Sequence, residues 1–297
     1  MNAKRILVGL LILAGLHVSS GAVHAETCVE NSAGACSPGQ VQRLPLKIYR
    51  NFLVVAEGHI GGVPGPQNFI LDTGTAPSVI NLKLGTQLGL GTARASTVAI
   101  GTQVSMGAST IPEIDLGPIR AIGLPVLVKD LSRFENDLGI PVAGIIGMDV
   151  LWRSNFRLDY DKREIEFGDI SHEGVPVRFD PRNGIALAEV RFGRKTVRML
   201  VDTGSEFVVL LGGNFGDTGG LALRNTSKSG KGLADQKMPI QEFSAPDIIL
   251  GGQHFSKDVA YLVPDAADPV FDGLLGVRAL GFRSLSYDRA RETIYLQ

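Results

Sequence analysis

The sequence FILDTGTAPSVI (residues 69–80) has a near copy, MLVDTGSEFVVL (residues 199–210), in the second half of the 297-residue chain. Each copy places Asp-Thr-Gly behind one apolar run and ahead of another, and the aspartates at positions 72 and 202 lie 130 residues apart. A short apolar run that ends at a turn signal is typical of a buried strand. An aspartate at the end of such a strand is costly unless it is paired, hydrogen-bonded or functional.

Other landmarks recur at nearly the same offset, which indicates an internal repeat. The paired segments are LPLKIYRNFLVVAEGHIGG (44–62) with VPVRFDPRNGIALAEVRFGR (175–194), IIGMDVL (145–151) with LLGVRAL (274–280), and FRLDYDKREIEF (156–167) with FRSLSYDRARETIYL (282–296). We therefore predict two lobes, at residues 42–170 and 171–297. A linker at 168–174 joins them, and a polar tail at 26–41 precedes them.

The repeated segments have the patterns of β-strands. FLVVAEGHI (52–60) and IALAEVRF (185–192) alternate apolar and polar residues, as half-buried strands do. INLKLGTQLGL (80–90) predicts a short helix and TVAIGTQVSMGAST (97–110) a hairpin, while NTSKSGKGLADQKMPI (225–240) occupies the matching place in the second lobe. With 37 Gly and 15 Pro scattered between short apolar runs, the sequence predicts an all-β protein with many turns.

The composition argues against several classes of function. The 29 basic and 30 acidic residues leave a net charge of −1, so no basic field favours nucleic acid. No Gly-x-Ser-x-Gly supports a serine hydrolase, and the scattered histidines show no ligand spacing, so we expect no metal or cofactor. These histidines are His59, His172 and His254. Asp149, Asp159 and Asp161 fall in predicted turns and are interpreted as turn or surface residues.

The N-terminus is typical of a secretory signal peptide. Two basic residues precede the apolar run ILVGLLILAGL (6–16), and the small residues Val23 and Ala25 follow it. We predict a signal peptide at residues 1–25, cleaved after Ala25, and an exported protein that is periplasmic or secreted. The alternative is an uncleaved membrane anchor, but the apolar run has 11 residues, whereas a spanning helix needs about 20. No stable membrane insertion is expected after cleavage.

The paired motifs point to acid–base chemistry. If the two turns meet across a pseudo-twofold axis, Asp72 lies beside Asp202. Two carboxylates in contact do not both ionise easily, so they share one proton and titrate together. One can then act as general base on a bound water while the other donates a proton to a substrate carbonyl.

From residue 44 onward, the sequence resembles the aspartic proteases, and among them the retropepsin-like proteins of bacteria in a tandem, single-chain form. The resemblance rests on ILDTGT and LVDTGS, and on the later Ile-Ile-Gly and Leu-Leu-Gly. The second lobe has GLLGVRAL without the Met-Asp of the first, and neither hairpin tract contains a tyrosine. The missing tyrosine favours the retropepsin-like subgroup over the pepsin-like one.

The resemblance implies roles for residues that correspond between the lobes. They are the catalytic Asp72 and Asp202, the cross-bonding Thr73 and Thr203, Gly74 and Gly204 at the close approach of the turns, Thr75 and Ser205 as hydrogen-bond donors to the carboxylates, and Gly147 and Gly276 behind the turns.

The resemblance also implies the architecture and the substrate class. The expected fold is all-β and bilobal, with pepsin- or retropepsin-like closed barrels related by a pseudo-twofold axis. The expected substrate is an extended polypeptide held between the lobes by strand-like main-chain bonds. Because both half-sites lie in one chain, we expect a monomer that needs no cofactor.

Two other functions are compatible with the fold. One is a non-catalytic peptide-binding module, although a decayed enzyme usually loses one of its two aspartates. The other is an envelope protein with a structural Asp pair, which is disfavoured because two buried carboxylates are costly without a role.

The two cysteines, Cys28 and Cys36, follow the expected cleavage site. An exported chain meets an oxidising compartment, so we predict a disulfide between them that fixes the tail and adds little stability to the lobes. The alternative is a pair of free thiols. Mass spectrometry of non-reduced peptides from exported protein distinguishes the two, and two free thiols would contradict the prediction.

Overall fold

The computed structural model describes residues 5–7, 12–13, 41–100, 102–181, 184–215, 221–231 and 237–297. The fold is mostly β, as the sequence predicts. The expected cleavage site after Ala25 and the Cys28–Cys36 disulfide lie outside the described residues.

Strands make up most of the chain in both halves. Up to residue 170 they are β1 (Arg5–Leu7), β2 (Ile12–Leu13), β3 (Gln42–Tyr49), β4 (Leu53–Ile60), β5 (Gln67–Leu71), β6 (Thr75–Ala76), β7 (Val79–Asn81), β8 (Ala93–Ala99), β9 (Thr102–Asp115), β10 (Arg120–Lys129), β11 (Gly144–Ile146), β12 (Phe156–Asp159) and β13 (Glu164–Phe167). Beyond residue 170 they are β14 (Val175–Asp180), β15 (Leu187–Phe192), β16 (Lys195–Asp202), β17 (Val208–Leu211), β18 (Arg224–Lys231), β19 (Lys237–Leu250), β20 (Gln253–Val263), β21 (Gly273–Gly276), β22 (Ser284–Asp288) and β23 (Thr293–Leu296).

The helices are short. They are α1 (Leu82–Gln87), α2 (Ser132–Leu138), α3 (Met148–Leu151), α4 (Gly212–Phe215) and a 3-10 helix (Val277–Leu280). The predicted helix within residues 80–90 is confirmed, since α1 begins after Asn81, whose side chain accepts a hydrogen bond from the backbone N–H of Lys83. None of the helices in the described ranges combines the length and apolar composition needed to cross a membrane.

The same three-strand arrangement surrounds both Asp-Thr-Gly motifs. In the first half, β11 pairs in parallel with β5 and antiparallel with β7. In the second half, β21 pairs in parallel with β16 and antiparallel with β17. In each half, the strand that leads to the aspartate runs parallel to the strand that leads to the later glycine. The Asp-Thr-Gly motifs and the later glycines, which match between the halves of the sequence, therefore also occupy matching places in the fold.

A long hairpin lies in the chain between the second and third strands of each of these arrangements. The predicted hairpin at residues 97–110 is present as β8 and β9, which pair antiparallel up to Ala99 opposite Thr102. Its counterpart consists of β18 and β19, which pair antiparallel up to Lys231 opposite Lys237.

The strand predicted at residues 52–60 differs from expectation in its burial. The sequence predicts that buried and exposed residues alternate, but the residues at 53–56 in β4 are all buried, because β4 lies between β3 and β5 within the core.

Strands from both halves form one antiparallel layer. Its order is β3, β13, β12, β22, β23 and β14, and the contact between β12 and β22 joins the halves. Aromatic side chains fill this contact: Phe156 stacks on Tyr287 with ring centroids 4.8 Å apart, and Trp152 meets Phe179 edge-on at 5.2 Å. The layer holds the two motif-bearing regions at a fixed relative position.

Two short strands from the predicted signal peptide pair with the regions around the first motif and the second hairpin. β2 runs parallel to β6 and antiparallel to β8, with Leu13 opposite Val98, and β1 runs parallel to β18. If the chain is cleaved after Ala25, both strands leave with the removed segment. The backbone groups of β6, β8 and β18 that they occupy then become available to another extended chain.

Candidate active site

The two aspartates of the repeated motif occupy equivalent, fully buried positions. Asp72 directly follows β5 and Asp202 is the last residue of β16. In each turn the backbone N–H of the glycine two residues later donates to the aspartate Oδ1, at 2.8 Å from Gly74 and 2.7 Å from Gly204. The sequence around each motif thus folds into the same tight turn.

The two carboxyl groups face each other. A Cβ atom added to Gly74 would lie 2.7 Å from Asp202 Cγ, and one added to Gly204 would lie 2.8 Å from Asp72 Cγ. Each carboxyl therefore occupies the space that a side chain on the opposite glycine would need. Glycine is required at both positions because any larger residue would separate the carboxyl groups.

Reciprocal hydrogen bonds between the threonines tie the turns together. The backbone N–H of Thr73 donates to Thr203 Oγ1 at 3.0 Å, and that of Thr203 donates to Thr73 Oγ1 at 3.1 Å. Each hydroxyl then donates to a carbonyl across the interface, Thr73 to Val201 at 2.8 Å and Thr203 to Leu71 at 3.1 Å. The cross-bonding implied by the family resemblance is present, and every member of it is buried.

The later glycines pack directly behind the turns. A Cβ atom on Gly147 would collide with the carbonyl of Thr75, and one on Gly276 with the carbonyl of Ser205. The backbone N–H of Asp72 also donates to the carbonyl of Ile146 at 2.9 Å. These glycines therefore allow β11 and β21 to support the turns from behind.

The two hydroxyl residues after the motifs do not behave alike. Thr75 Oγ1 donates to Asp72 Oδ2 at 2.7 Å, as expected. Ser205 Oγ instead donates to the carbonyl of Phe207 at 3.1 Å, so it is the backbone N–H of Ser205, and not its hydroxyl, that acts on the Asp202 carboxyl. A serine has a single O–H donor, and here that donor is used on the backbone.

Burial and mutual charge raise the pKa of both carboxyls, by unequal amounts. For Asp202, burial and then the negative charge of Asp72 raise the pKa well above its ordinary value. For Asp72, burial raises the pKa, but hydrogen bonds from the Asp202 carboxyl, Thr75 and Gly74 oppose the rise. Asp202 Oδ2 is buried and has no hydrogen-bond partner within the described ranges, and the backbone N–H groups of Gly204 and Ser205 oppose the rise in the Asp202 pKa.

Asp149 lies behind the first turn, which the sequence interpretation missed. Its carboxylate accepts hydrogen bonds from Ser78, at 2.9 Å from the backbone N–H and 2.7 Å from the hydroxyl. Ser78 Oγ in turn accepts from the backbone N–H of Gly147 at 3.0 Å. Burial raises the pKa of Asp149 while the Ser78 bonds oppose the rise. Asp149 is therefore part of the support for the turn, and its interpretation as a turn or surface residue was wrong.

The second half replaces this network with other groups. Val208 occupies the place of Ser78, and Arg278 that of Asp149. Arg278 Nε donates to the carbonyl of Asn51 at 3.1 Å, and its Nη1 to that of Phe282 at 2.7 Å.

The turn interpretation of Asp159 is confirmed, because its Oδ1 accepts hydrogen bonds from two backbone N–H groups of the following turn.

Two tyrosines below the aspartates were also missed. Tyr160 and Tyr287 are buried. The Tyr160 hydroxyl has no hydrogen-bond partner within the part of the chain that is described, whereas the Tyr287 hydroxyl lies near the Thr73 side chain. Burial raises the pKa of both phenols. The charge of Arg278 opposes this rise at Tyr160 and the Thr73 side chain opposes it at Tyr287, while the charges of Asp72 and Asp202 add to it by less. The recurrence of Tyr-Asp in FRLDYD and FRSLSYD was the available signal.

Within the described ranges, no three His, Cys, Asp or Glu side chains come together to hold a metal ion. Two of the histidines each contact a carboxylate. His172 Nε2 lies 3.1 Å from Asp288 Oδ2, and His254 Nδ1 lies 2.8 Å from Asp247 Oδ1.

The comparisons with known proteins agree with the geometry of the first half. Residues 56–150 match the family model of aspartyl proteases. The matched segment contains the first motif and Gly147, and it ends before the second motif. The comparison with curated proteins found no match. The matched segment supports an aspartyl protease family and hence protease activity on peptides.

The buried dyad predicts a specific pH dependence of stability. The pKa of Asp202 is higher in the folded protein than in the unfolded chain, where it is about 3.9. The contribution of Asp202 to the stability of the folded protein is therefore most favourable below pH 3.9, and it becomes less favourable as the pH rises through the folded-state pKa. Asp202→Asn, which is permanently neutral, should therefore raise Tm relative to the parent at pH 7, by about 3 °C. At pH 3.5 the gain should be smaller.

Calorimetry of both proteins across this range measures the difference. Asp265→Asn is a matched control, since Asp265 is exposed and lies on the surface of the same half. A gain for Asp202→Asn that is equal at both pH values would contradict the prediction.

Proposed function

We propose that this protein is an exported aspartic endopeptidase that hydrolyses peptide bonds with a water activated between Asp72 and Asp202. The observation that carries the proposal is the position of each carboxyl in the space left by the glycine of the opposite motif. A pair of buried carboxyls that face each other suits general acid–base attack of water on a carbonyl.

The reaction uses both carboxyls in turn. The ionised carboxylate removes a proton from the water as the water oxygen bonds to the peptide carbon, and the protonated carboxyl gives its proton to the carbonyl oxygen. The resulting gem-diol collapses when the C–N bond breaks. A hydroxyl proton returns to the carboxyl that lost one, and the amine leaves with the proton taken from water. The pair ends with the single shared proton with which it began.

The architecture we propose is two barrel-like lobes related by a pseudo-twofold axis, as in tandem retropepsin-like proteins of bacteria. The repeated three-strand arrangement and the reciprocal threonine bonds support it. The remaining support residues, Gly147 and Gly276, keep the turns in contact with the strands behind them.

The proposed substrate is an extended polypeptide that lies between the two long hairpins. The backbone of β6, β8 and β18 already pairs with extended chain in the structure, so these strands can accept a strand-like ligand. The same observation suits a non-catalytic peptide-binding module, which is the alternative function. The apolar N-terminal segment supports our proposal that the protein is exported, to the periplasm or out of the cell.

Loss of either aspartate should abolish turnover. We expect Asp72→Asn and Asp202→Asn each to lower kcat by about 10³-fold or more on a cleaved peptide. The double variant should be little worse than either single one, because the two groups act as a unit. Purified protein is incubated with a peptide library, and the products are identified by mass spectrometry.

The exposed Asp265→Asn serves as the control and should retain the parent's turnover. If parent and variants all bind peptides but cleave none, the binding-module alternative is correct. Near-normal turnover by Asp202→Asn would refute the two-aspartate mechanism.

A single chain should contain the complete site. Asp72 and Asp202 meet within one molecule, so we propose that the active unit is a monomer. Activity per milligram should stay constant on dilution into the nanomolar range, with sedimentation velocity reporting one species of monomer mass. A steep loss of specific activity on dilution, together with a sedimenting dimer, would show that assembly is required.

A further inference from the structure

The antiparallel layer that joins the two halves has a polar outer face, which is buried although it lies away from the core. Successive side chains of a strand point to opposite faces, so Arg157 and Asp159 of β12 lie on the face opposite to Phe156, which packs in the core. Glu166 of β13 and Ser286 of β22 are directly opposite Arg157 on the neighbouring strands. Arg157, Asp159, Glu166 and Ser286 are all less than 8% exposed, because Arg157 is the most exposed but one at 6% and Glu166 is 7% exposed.

A cavity of about 450 Å³ opens on this outer face, which is within the size range of small-molecule sites. Four acidic and four basic side chains line it, so the charges of its lining balance. Arg157, Asp159 and Glu166 form its buried floor, while exposed side chains such as Lys162 and Arg283 form its rim. A ligand with a net charge would upset this balance in a partly buried place, whereas a ligand with one positive and one negative group would preserve it.

Arg157 has no carboxylate in direct contact, although its charge is buried. Its Nη1 donates to Ser171 Oγ at 3.2 Å and its Nη2 to Gln297 Oε1 at 2.9 Å, and both acceptors are neutral. The nearest carboxylate oxygens, of Asp159 and Glu173, are each 3.6 Å from the guanidinium, which is longer than a hydrogen bond. A guanidinium has five N–H donors and binds carboxylates best through paired bonds. Arg157 therefore retains the capacity to bind a carboxylate that comes from outside.

Asp159 has the complementary deficiency. Its Oδ1 accepts hydrogen bonds from the backbone N–H groups of Asp161 and Lys162. Its Oδ2 accepts none from the residues that the structure describes, since the closest cationic nitrogens are Arg157 Nη2 at 3.6 Å and Lys162 Nζ at 3.9 Å. An ammonium group carries three N–H donors and could supply the missing bond. The floor of the cavity thus offers adjacent places for a carboxylate and for an ammonium group.

We propose that this cavity binds a free α-amino acid, whose carboxylate bonds to Arg157 and whose ammonium group bonds to Asp159 Oδ2. The two charged groups of an α-amino acid are separated by a single carbon, which suits the adjacent positions of Arg157 and Asp159. The side chain of the ligand then extends toward the exposed rim. The site lies across the layer from the candidate active site, since Phe156 on the inner face stacks on Tyr287. Binding there does not depend on the proposed peptidase activity.

Isothermal titration of the parent protein with the standard free amino acids tests the proposal without any turnover. We expect saturable binding with a Kd of about 0.1 mM for the tightest of them, as is reasonable for so small a ligand. The N-acetyl derivative of that amino acid lacks the ammonium group, and its amide lacks the carboxylate. Each should bind at least about tenfold more weakly, because one charge-assisted contact is lost. Equal binding of either derivative, or no binding of any amino acid at millimolar concentration, would overturn the proposal.

Three variants locate the site. Arg157→Lys keeps the positive charge but loses the planar pair of donors, so it should weaken binding by about tenfold. Arg191→Lys is the matched control, since Arg191 is exposed on β15 and does not line the cavity, and it should bind as the parent does. Asp72→Asn should also bind as the parent does, which separates this site from the candidate active site and from the success or failure of the proposed peptidase function.

The melting temperature of each variant is measured first, so that a loss of binding is not confused with a loss of folding. Unchanged binding by a folded Arg157→Lys, or loss of binding by Asp72→Asn, would refute the assignment of the ligand to this cavity. If Arg157→Lys does not fold, a crystal structure of the parent with the tightest amino acid decides the question. Ligand density between Arg157 and Asp159 would support the proposal, and density elsewhere would overturn it.

Discussion

The close approach of two glycine turns is the constraint on which the rest of the structure depends. Gly74 and Gly204 have no side chains, and the carboxyl of the opposite aspartate occupies the space this leaves. Two acids brought this close in a buried place repel when both are ionised, so the contact persists only if other bonds hold the turns together. The threonine bonds across the interface and the joint antiparallel layer, with its contact between β12 and β22, provide that support.

Much of this arrangement could be predicted from the sequence, because the relevant signals are local or repeated. The apolar runs before Asp72 and Asp202 predict buried strands, and the matched offsets of Gly147 and Gly276 predict how those strands are supported. The direction of a single hydroxyl carries no such signal: Ser205 and Thr75 are chemically alike, yet they choose different acceptors.

Other features escaped prediction because they depend on tertiary contacts. Asp149 looked like a turn residue because its partner, Ser78, lies 71 positions earlier and meets it only in the fold. Tyr160 and Tyr287 lie at or next to the ends of ordinary strand patterns, and only the fold brings them close enough to Asp72 and Asp202 for the charges of these residues to act on the phenols. A pattern of apolar and polar residues assigns a side chain to a face of a strand, but it does not identify what that face meets.

The joint antiparallel layer also affects when the two carboxyls can meet during synthesis of the chain. Its strands come from the beginning and the end of the repeated region, since β3 starts at Gln42 and β23 ends at Leu296, and β12 of the first half contacts β22 of the second. A chain still on the ribosome with only its first half synthesised contains one carboxyl of the pair and lacks the strands that would position the other. Synthesis therefore keeps the two carboxyls from meeting until nearly all of the polypeptide has emerged from the ribosome.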